Sequence, residues 1–198
     1  MKKVDVFVAI LAGLGMGWLF GGILGDYGMD MSLLKWALLI IFPVLSIIGL
    51  WFTEWIGRKF LFVFQAGKFL LAGILATLVD LVVFKGLGWT TGLDTEMARV
   101  LFKGISFVVA TFAKFWGNKF WAFEKMEKAG MGKELTQFYV VTLIGLAINV
   151  GVFSLIVNTI GPQFDTPLET WKTLGVIGAA IVVSVWNFLG YKFIVFKK

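Results

Sequence analysis

Six apolar segments, each long enough to cross a lipid bilayer, make up most of this 198-residue chain. A helix needs about 18 or more apolar residues to cross the hydrocarbon core of a bilayer. Only 15% of the residues are charged, whereas a soluble domain carries about 25%. The sequence therefore predicts an all-α integral membrane protein with six transmembrane helices, at about residues 4–25, 33–57, 64–88, 99–123, 136–160 and 173–196.

The composition also excludes several kinds of chemistry. The chain has no cysteine and no histidine, which rules out thiol catalysis, imidazole acid–base catalysis and the usual zinc sites. Carboxylate chemistry stays possible, but most carboxylates fall in short loops rather than in paired motifs. We therefore expect no enzymatic activity, no catalytic residue, no bound metal and no cofactor. The net charge of +6 lies at helix ends, which favours membrane orientation over nucleic-acid binding.

The distribution of lysine and arginine predicts the orientation of the chain, because cytoplasmic loops carry an excess of both. If the N-terminus is cytoplasmic, the inner helix ends carry twelve of these residues and the outer ends carry five, which are Lys35, Lys85, Arg99, Lys103 and Lys172. We therefore expect both termini in the cytoplasm and a multi-pass protein of the cytoplasmic (inner) membrane.

The second half of the chain contains an internal repeat of two apolar segments. Residues 69–84 align without a gap with residues 138–153, and residues 114–123 align with residues 187–196. Each copy begins on the predicted cytoplasmic side, so we expect two parallel hairpins related by an axis along the membrane normal. Internal repeats with a binding site between them are a transporter design. The predicted copies are residues 64–125 and 133–198.

Two charged residues, Asp80 and Lys114, fall inside the predicted spans at similar predicted depths. A lone charge near the bilayer midplane costs about 3 kcal/mol or more, so we predict that these two side chains pair with each other. The second repeat has Asn149 and Asn187 at the equivalent positions. We therefore expect a neutral amide pair to replace the ion pair there.

A polar stripe follows the same face of the fourth and sixth predicted helices. Its members are Thr111, Lys114 and Asn118 in one repeat and Ser184, Asn187 and Tyr191 in the other. One interpretation is a set of hydrogen bonds that fixes the register of neighbouring helices. The other is a polar path or head-group site between the repeats.

Two pairs of cations are candidate phosphate contacts. Lys119 and Lys192 lie near the inner boundary, where they either anchor the helix ends or capture an anionic lipid phosphate. Arg99 and Lys103 lie at the outer start of the fourth helix, against the positive-inside trend. They favour an outward phosphate contact, although Glu96 beside Arg99 allows an ordinary surface pair.

Glycines recur every four residues in the first predicted helix, at Gly13, Gly17, Gly21 and Gly25. Such a stripe lets another helix approach closely. The second helix of the same chain could occupy it, or a second copy of the chain could do so, which leaves a homo-oligomer possible.

The apolar repeat segments resemble the GtrA-like family of small membrane proteins. F-L-L-A-G-I-L-A-T-L-V-D-L-V-V-F at 69–84 looks like the family's opening helix, and N-K-F-W-A-F at 118–123 looks like its Asn-basic-x-Trp-x-Phe helix end. The closing F-L-G-Y-K-F-I-V-F-K-K is similar to its last span. The resemblance covers about residues 64–198. It implies a four-helix domain over 61–198 and an additional N-terminal hairpin over 1–60.

The resemblance implies translocation of a polyprenyl-phosphate-linked sugar, or of polyprenyl phosphate itself, for cell-surface polysaccharide synthesis or modification. Polyprenyl-phosphate lipid, membrane lipids and a glycosyltransferase are the implied partners. Of the polar positions, the family pattern points to Asp80, Asn118, Lys119, Asn187 and Lys192. Together with the residues above, the expected substrate-binding set is Asp80, Arg99, Lys103, Lys114, Asn118, Lys119, Asn149, Asn187, Tyr191 and Lys192.

Two other functions remain open at this point. One is a membrane anchor or scaffold for a polyprenyl-phosphate glycosyltransferase that itself transports nothing. The other is a small-molecule exporter, for which Asp80 would supply the carboxylate within the membrane.

Overall fold

A computed structural model of the chain describes residues 1–26 and 32–197, and every regular element in those ranges is helical. The six long helices are α1 (Lys3–Asp26), α2 (Ser32–Gly57), α3 (Leu61–Thr91), α4 (Glu96–Trp116), α5 (Met131–Ser154) and α6 (Leu168–Gly190). Within these ranges, six helical segments are long and apolar enough to cross a membrane. The predicted all-α, six-helix fold is therefore confirmed. The predicted loop at residues 27–31 lies outside the described residues.

Local sequence explains where α3 and α4 meet. The helix α3 runs through to Thr91 and ends at Gly92, whose φ of 66° is accessible to glycine at little cost. Thr95 then caps α4, because its side-chain oxygen accepts a hydrogen bond from the backbone N–H of Ala98 at 3.2 Å. The two helices therefore form a hairpin joined by a short turn.

Three of the helices end in a π-helical segment: Gly117–Ala122 after α4, Leu155–Ile160 after α5 and Tyr191–Val195 after α6. The backbone N–H of Phe123 donates to the carbonyl of Asn118 at 2.9 Å, and that of Phe196 donates to Tyr191 at 2.7 Å. These residues occupy aligned positions in the two repeats, so both hairpins finish with the same wide turn. The axis relating the repeats and the orientation of the termini stay predictions.

The chain divides into two compact units, Met1–Glu124 and Lys125–Lys198. In the first unit, Ala9 and Ala12 on α1, Leu50 on α2 and Leu71 on α3 form a buried apolar cluster. The N-terminal hairpin thus shares a core with the first repeat hairpin. The division into residues 1–60 and 61–198 is a statement about sequence relationship and stays a prediction.

The glycine stripe of α1 packs against α2. A Cβ atom built on Gly13 would lie 2.4 Å from the Cα atom of Pro43, and one built on Gly17 would lie 2.6 Å from the carbonyl oxygen of Leu38. The first interpretation of the stripe, internal packing, is therefore confirmed for these two glycines. The surroundings of Gly25 lie outside the described part of the chain, and a homo-oligomer stays a prediction.

In the second unit, α5 and α6 form a hairpin held by aromatic residues. The rings of Phe138 and Tyr191 stack with their centroids 4.2 Å apart. The indole N–H of Trp186 donates to the carbonyl of Val141 at 3.0 Å, and that of Trp171 donates to Ile156 at 2.9 Å. These contacts fix the register in which the second-repeat site residues are placed.

Candidate functional site

The structure brings together two of the predicted site residues, Asp80 on α3 and Lys103 on α4. The Lys103 ammonium forms an ion pair with Asp80 Oδ2. Ser106 is fully buried, and its hydroxyl donates to Asp80 Oδ1 at 2.6 Å. The Lys103 side chain is 59% exposed. We call these three residues the Asp80 cluster. In it, the Asp80 carboxylate lies between two donors, and the lysine remains accessible from outside the hairpin.

The predicted pair between Asp80 and Lys114 is wrong, because the register of the hairpin separates them. Asp80 lies 11 residues before the end of α3, and Ser106 lies 10 residues after the start of α4. Lys114 is a further 11 residues beyond Lys103, or about 16 Å along the axis at 1.5 Å per residue. The prediction measured depth from assumed inner boundaries, whereas distance from the turn decides which residues face each other.

The predicted outer cation Arg99 lies beside the turn between α3 and α4. Its Nη1 atom donates to the Asp94 carboxylate at 2.8 Å and to the Asp94 carbonyl at 3.1 Å. Arg99 therefore forms its surface pair with Asp94 rather than with Glu96. We call this end of the α3–α4 hairpin the turn end, and the opposite end, near Lys68 and Glu124, the open end.

The polar stripe of α4 bonds largely to its own helix. The hydroxyl of Thr111 donates to the carbonyl of Phe107 at 2.7 Å, and Asn118 Nδ2 donates to the carbonyl of Lys114 at 2.8 Å. The Asn118 Oδ1 atom is buried, and no hydrogen-bond donor contacts it within the described residues. A buried amide oxygen in that state costs free energy and marks a position where a ligand hydroxyl or water would be stabilised.

The aligned lysines of the two repeats differ in exposure. Lys119 is fully buried, with its Nζ atom 5.7 Å from the ring centroid of Phe120. Lys192 is half-buried, and its Nζ atom lies 5.7 to 5.8 Å from the rings of Phe193 and Phe188. A phosphate outside the helices would therefore reach Lys192 more readily than Lys119. Phosphate capture by either lysine stays a prediction.

In the second unit, Asn187 lies against α5 at Gly145 rather than at Asn149. A Cβ atom built on Gly145 would lie 2.7 Å from Asn187 Oδ1, and this oxygen has no hydrogen-bond partner among the described residues. The predicted Asn149–Asn187 pair is therefore wrong, for the same reason of register. Asn149 is half-buried, and it aligns with Asp80 of the first repeat.

Tyr191 takes the place that Asn118 occupies in the first repeat. Its hydroxyl lies 2.7 Å from the hydroxyl of Thr142, and its ring is fully buried against Phe138. Tyr191 thus joins α6 to α5 through both an apolar face and a polar tip. This contact favours the interpretation of the second-repeat stripe as a link between helices.

A second charged cluster lies at the open end, and sequence reasoning missed it. Lys68 Nζ forms ion pairs with Asp5 Oδ1 at 3.0 Å and with Glu124 Oε1 at 3.1 Å. Asp5 also accepts hydrogen bonds from the indole N–H of Trp121 at 2.8 Å and from the backbone N–H of Lys2 at 2.7 Å. Asp5 and Lys68 are both 1% exposed. This group, the Lys68 cluster, fastens the first helix to the first repeat hairpin.

Glu124 is the exposed member of the Lys68 cluster. The pKa of the Glu124 carboxyl lies below its ordinary value of 4.5, chiefly because Lys2 donates a hydrogen bond to it at 2.9 Å. Partial desolvation opposes this effect, and Lys68 reinforces it. The same contact raises the pKa of the Lys2 ammonium, first through the hydrogen bond and then through the charge of Glu124. Glu124 and Lys2 therefore both stay ionised throughout the neutral pH range.

Counting outward from the turn between α3 and α4 would have found the partners of Asp80. Ser106 lies three residues after Lys103 and thus on the same face of α4. Asp5 and Lys68 carried no such signal, because α1 and α3 are not neighbours in sequence. Lys85 at the turn end was counted only for orientation.

Comparison with known proteins identifies the family of the chain. Residues 68–196 match the family described as GtrA/DPMS, transmembrane domain. The chain belongs to this family. The uncharacterized membrane protein YwcD of Bacillus subtilis (strain 168) is 26% identical over 132 residues, which cover 66% of this chain and 94% of that protein. No solved structure matches the chain.

The GtrA/DPMS match begins at Lys68, so α1 and α2 precede the family domain. Both the Asp80 cluster and the aligned helix ends at Asn118 and Tyr191 fall within the matched region. The chain is therefore a multi-pass GtrA/DPMS membrane protein with two additional N-terminal helices, one of which the Lys68 cluster attaches to the family domain.

Proposed function

We propose that this protein moves a polyprenyl-phosphate-linked sugar, or polyprenyl phosphate, across the cytoplasmic membrane for cell-surface polysaccharide synthesis or modification. Membership of the GtrA/DPMS family supports this proposal, since the family is associated with translocation of polyprenyl-phosphate sugars. A glycosyltransferase that makes or uses the lipid-linked sugar is the expected protein partner.

The observation that carries the proposal is the Asp80 cluster. A carboxylate and an ammonium within apolar helices are expensive, and such groups commonly mark substrate or ion pathways. If the cluster served only to fix the register of α3 against α4, the buried hydrogen bond from Ser106 to Asp80 would be enough. The exposed Lys103 ammonium is available in addition, and a lipid phosphate is the anion that reaches such a position from the bilayer.

In the proposed mechanism no covalent bond changes. Lys192 at the end of α6 makes the first contact with the phosphate on the cytoplasmic side. The polar positions of α4 then shield the head group while the polyprenyl chain remains in lipid. On the outer side, Lys103 releases the Asp80 carboxylate and binds the phosphate instead. The movement runs down the substrate gradient or is coupled to an ion at Asp80.

The test compares three lysine variants in liposomes containing the purified full-length chain. We expect Lys103→Gln and Lys192→Gln each to slow transfer of a labelled polyprenyl-phosphate sugar about fivefold, because a lipid-phosphate contact to lysine near the interface contributes about 1 kcal/mol. Lys128→Gln is the matched control, since Lys128 is exposed in the loop before α5 and is screened by salt. Equal and small effects from all three variants would contradict the proposed roles of Lys103 and Lys192.

A further inference from the structure

A groove of about 330 Å3 opens at the turn end of the α3–α4 hairpin. Its lining includes Phe84, Lys85, Trp89, Asp94, Arg99 and Phe102. Gly88 also lines the groove, and a Cβ atom built there meets no atom of the described residues within 4 Å. The glycine therefore leaves open space at the wall of the groove.

The groove lining carries two cations and one carboxylate, so its net positive charge favours an anion. The cations are Lys85, whose Nζ atom lies 5.4 Å from the ring centroid of Trp18, and Arg99, which pairs with the Asp94 carboxylate. Both described side-chain bonds of Arg99 use Nη1, so Nη2 and Nε keep their donors for a ligand. The N-terminus of α4, which starts at Glu96, adds its positive dipole end beside the same groove.

The remaining wall is apolar and aromatic. Phe84, Trp89 and Phe102 line it, and Trp89 is 83% exposed. A free inorganic anion would use only the cations, whereas a phosphate attached to a hydrocarbon chain would use both parts of the groove. The groove thus matches an amphiphile with an anionic head.

We propose that this groove binds the phosphate of a lipid phosphate, with Lys85 and Arg99 holding the phosphate and Trp89 and Phe102 contacting the adjoining hydrocarbon. The assignment rests on the proposed function, for which it supplies the outer binding site and two further binding residues, Lys85 and Trp89.

The experiment measures binding by calorimetry, with the full-length chain in nanodiscs of zwitterionic lipid. Farnesyl phosphate is the probe, and farnesol and inorganic phosphate are the comparison ligands. We expect farnesyl phosphate to bind at least about tenfold more tightly than either, since only it engages both the cations and the aromatic wall. Inorganic phosphate that binds as tightly as farnesyl phosphate would overturn the lipid assignment.

Variants locate the site. Lys85→Gln and Arg99→Gln should each weaken farnesyl phosphate binding about fivefold or more. Gly88→Leu should weaken it at least as much, because the new side chain fills the groove without removing a charge, and leucine favours the helix. Lys128→Gln should bind as the unaltered chain does. Unaltered binding in both Lys85→Gln and Gly88→Leu would overturn the proposal.

Two further outcomes separate this proposal from the proposed function. If the unaltered chain binds farnesyl phosphate in the groove but transfers no lipid in liposomes, the groove assignment stands and the transport function fails. If Lys85→Gln and Gly88→Leu leave both binding and transfer unchanged, the groove assignment fails and transport stands.

Discussion

At the scale of single residues, the contact with the largest expected effect on stability is the buried ion pair of Asp5 and Lys68. Both side chains are almost fully buried and lie 3.0 Å apart. Two buried charges gain little net stability as a pair, but removing one of them leaves the other uncompensated. The pair therefore matters most as a constraint on where α1 can dock.

We predict that Lys68→Met lowers the free energy of unfolding by about 3 kcal/mol, because it strands the Asp5 carboxylate in an apolar environment. The double variant Asp5→Asn/Lys68→Met should recover part of that loss. The measurement is equilibrium unfolding in detergent micelles, with Lys59→Met at an exposed loop position as the control. A Lys68→Met variant as stable as the control would show that the pair does not hold α1.

Glu124 gives the same cluster a dependence on pH. Its pKa in the folded protein lies below the ordinary value of 4.5, so its contribution to stability is present above about pH 4.5 and is lost as the pH falls through the folded pKa. We expect Glu124→Gln to be less stable than the unaltered chain at neutral pH, with the difference shrinking under acid conditions. Thermal unfolding between about pH 3 and 7 measures it. A difference that grows under acid conditions would contradict the sign of this shift.

The polar side chains fall on helices that were predicted from the sequence, but their pairing between helices was not predicted correctly. Asp80 was expected opposite Lys114, and it lies opposite Lys103 and Ser106. Composition and spacing indicate which residues share a helix face, whereas pairing between helices depends on where the turn falls. The predicted partner Lys114 lies eight residues beyond Ser106, or about two turns of helix, so depth counted from assumed helix ends did not locate the contact.

At the scale of elements, the α1–α2 pair depends on close approach of the two backbones. The aligned glycines at every fourth residue predicted a contact of this kind, and α2 fills it. A glycine outside the stripe, Gly22, has no neighbour within 4 Å of a built Cβ atom in the part of the chain that the structure describes. Gly22 is therefore a control position within α1 for the effect of adding a methyl group.

We predict that Gly13→Ala destabilises the protein by about 1–3 kcal/mol, because its Cβ atom would overlap the backbone of Pro43 and push the helices apart. Gly22→Ala should be neutral or stabilising by up to about 1 kcal/mol, since alanine favours the helix. Unfolding of both variants in the same detergent makes the comparison. Equal effects at the two positions would mean that α1 and α2 do not pack as described.

The π-helical ends of α4 and α6 could not be predicted from hydropathy. Their i to i−5 hydrogen bonds add a residue to the turn without changing the apolar pattern. The sequence repeat did indicate that the two ends correspond, because residues 114–123 and 187–196 align. The two helix ends differ in the exposure of their aligned lysines, since Lys119 is buried and Lys192 is only half-buried.

At the scale of the whole molecule, the number of helices and their class followed directly from six long apolar segments. The family followed from short motifs within the last two thirds of the chain. The sequence did not predict that the N-terminal hairpin and the first repeat hairpin share a core. That core depends on contacts such as Asp5–Lys68 between distant parts of the sequence. Long-range pairing of that kind has no local signal.

The most direct test of the central claim is transfer of a labelled polyprenyl-phosphate sugar across liposomes that contain the purified chain and no glycosyltransferase. We predict transfer well above that of empty liposomes, selective for the polyprenyl-phosphate sugar over a labelled zwitterionic phospholipid, and slowed by Lys103→Gln. Transfer no faster than in empty liposomes, from protein that is folded and correctly inserted, would contradict a transport function and favour a membrane anchor for a glycosyltransferase.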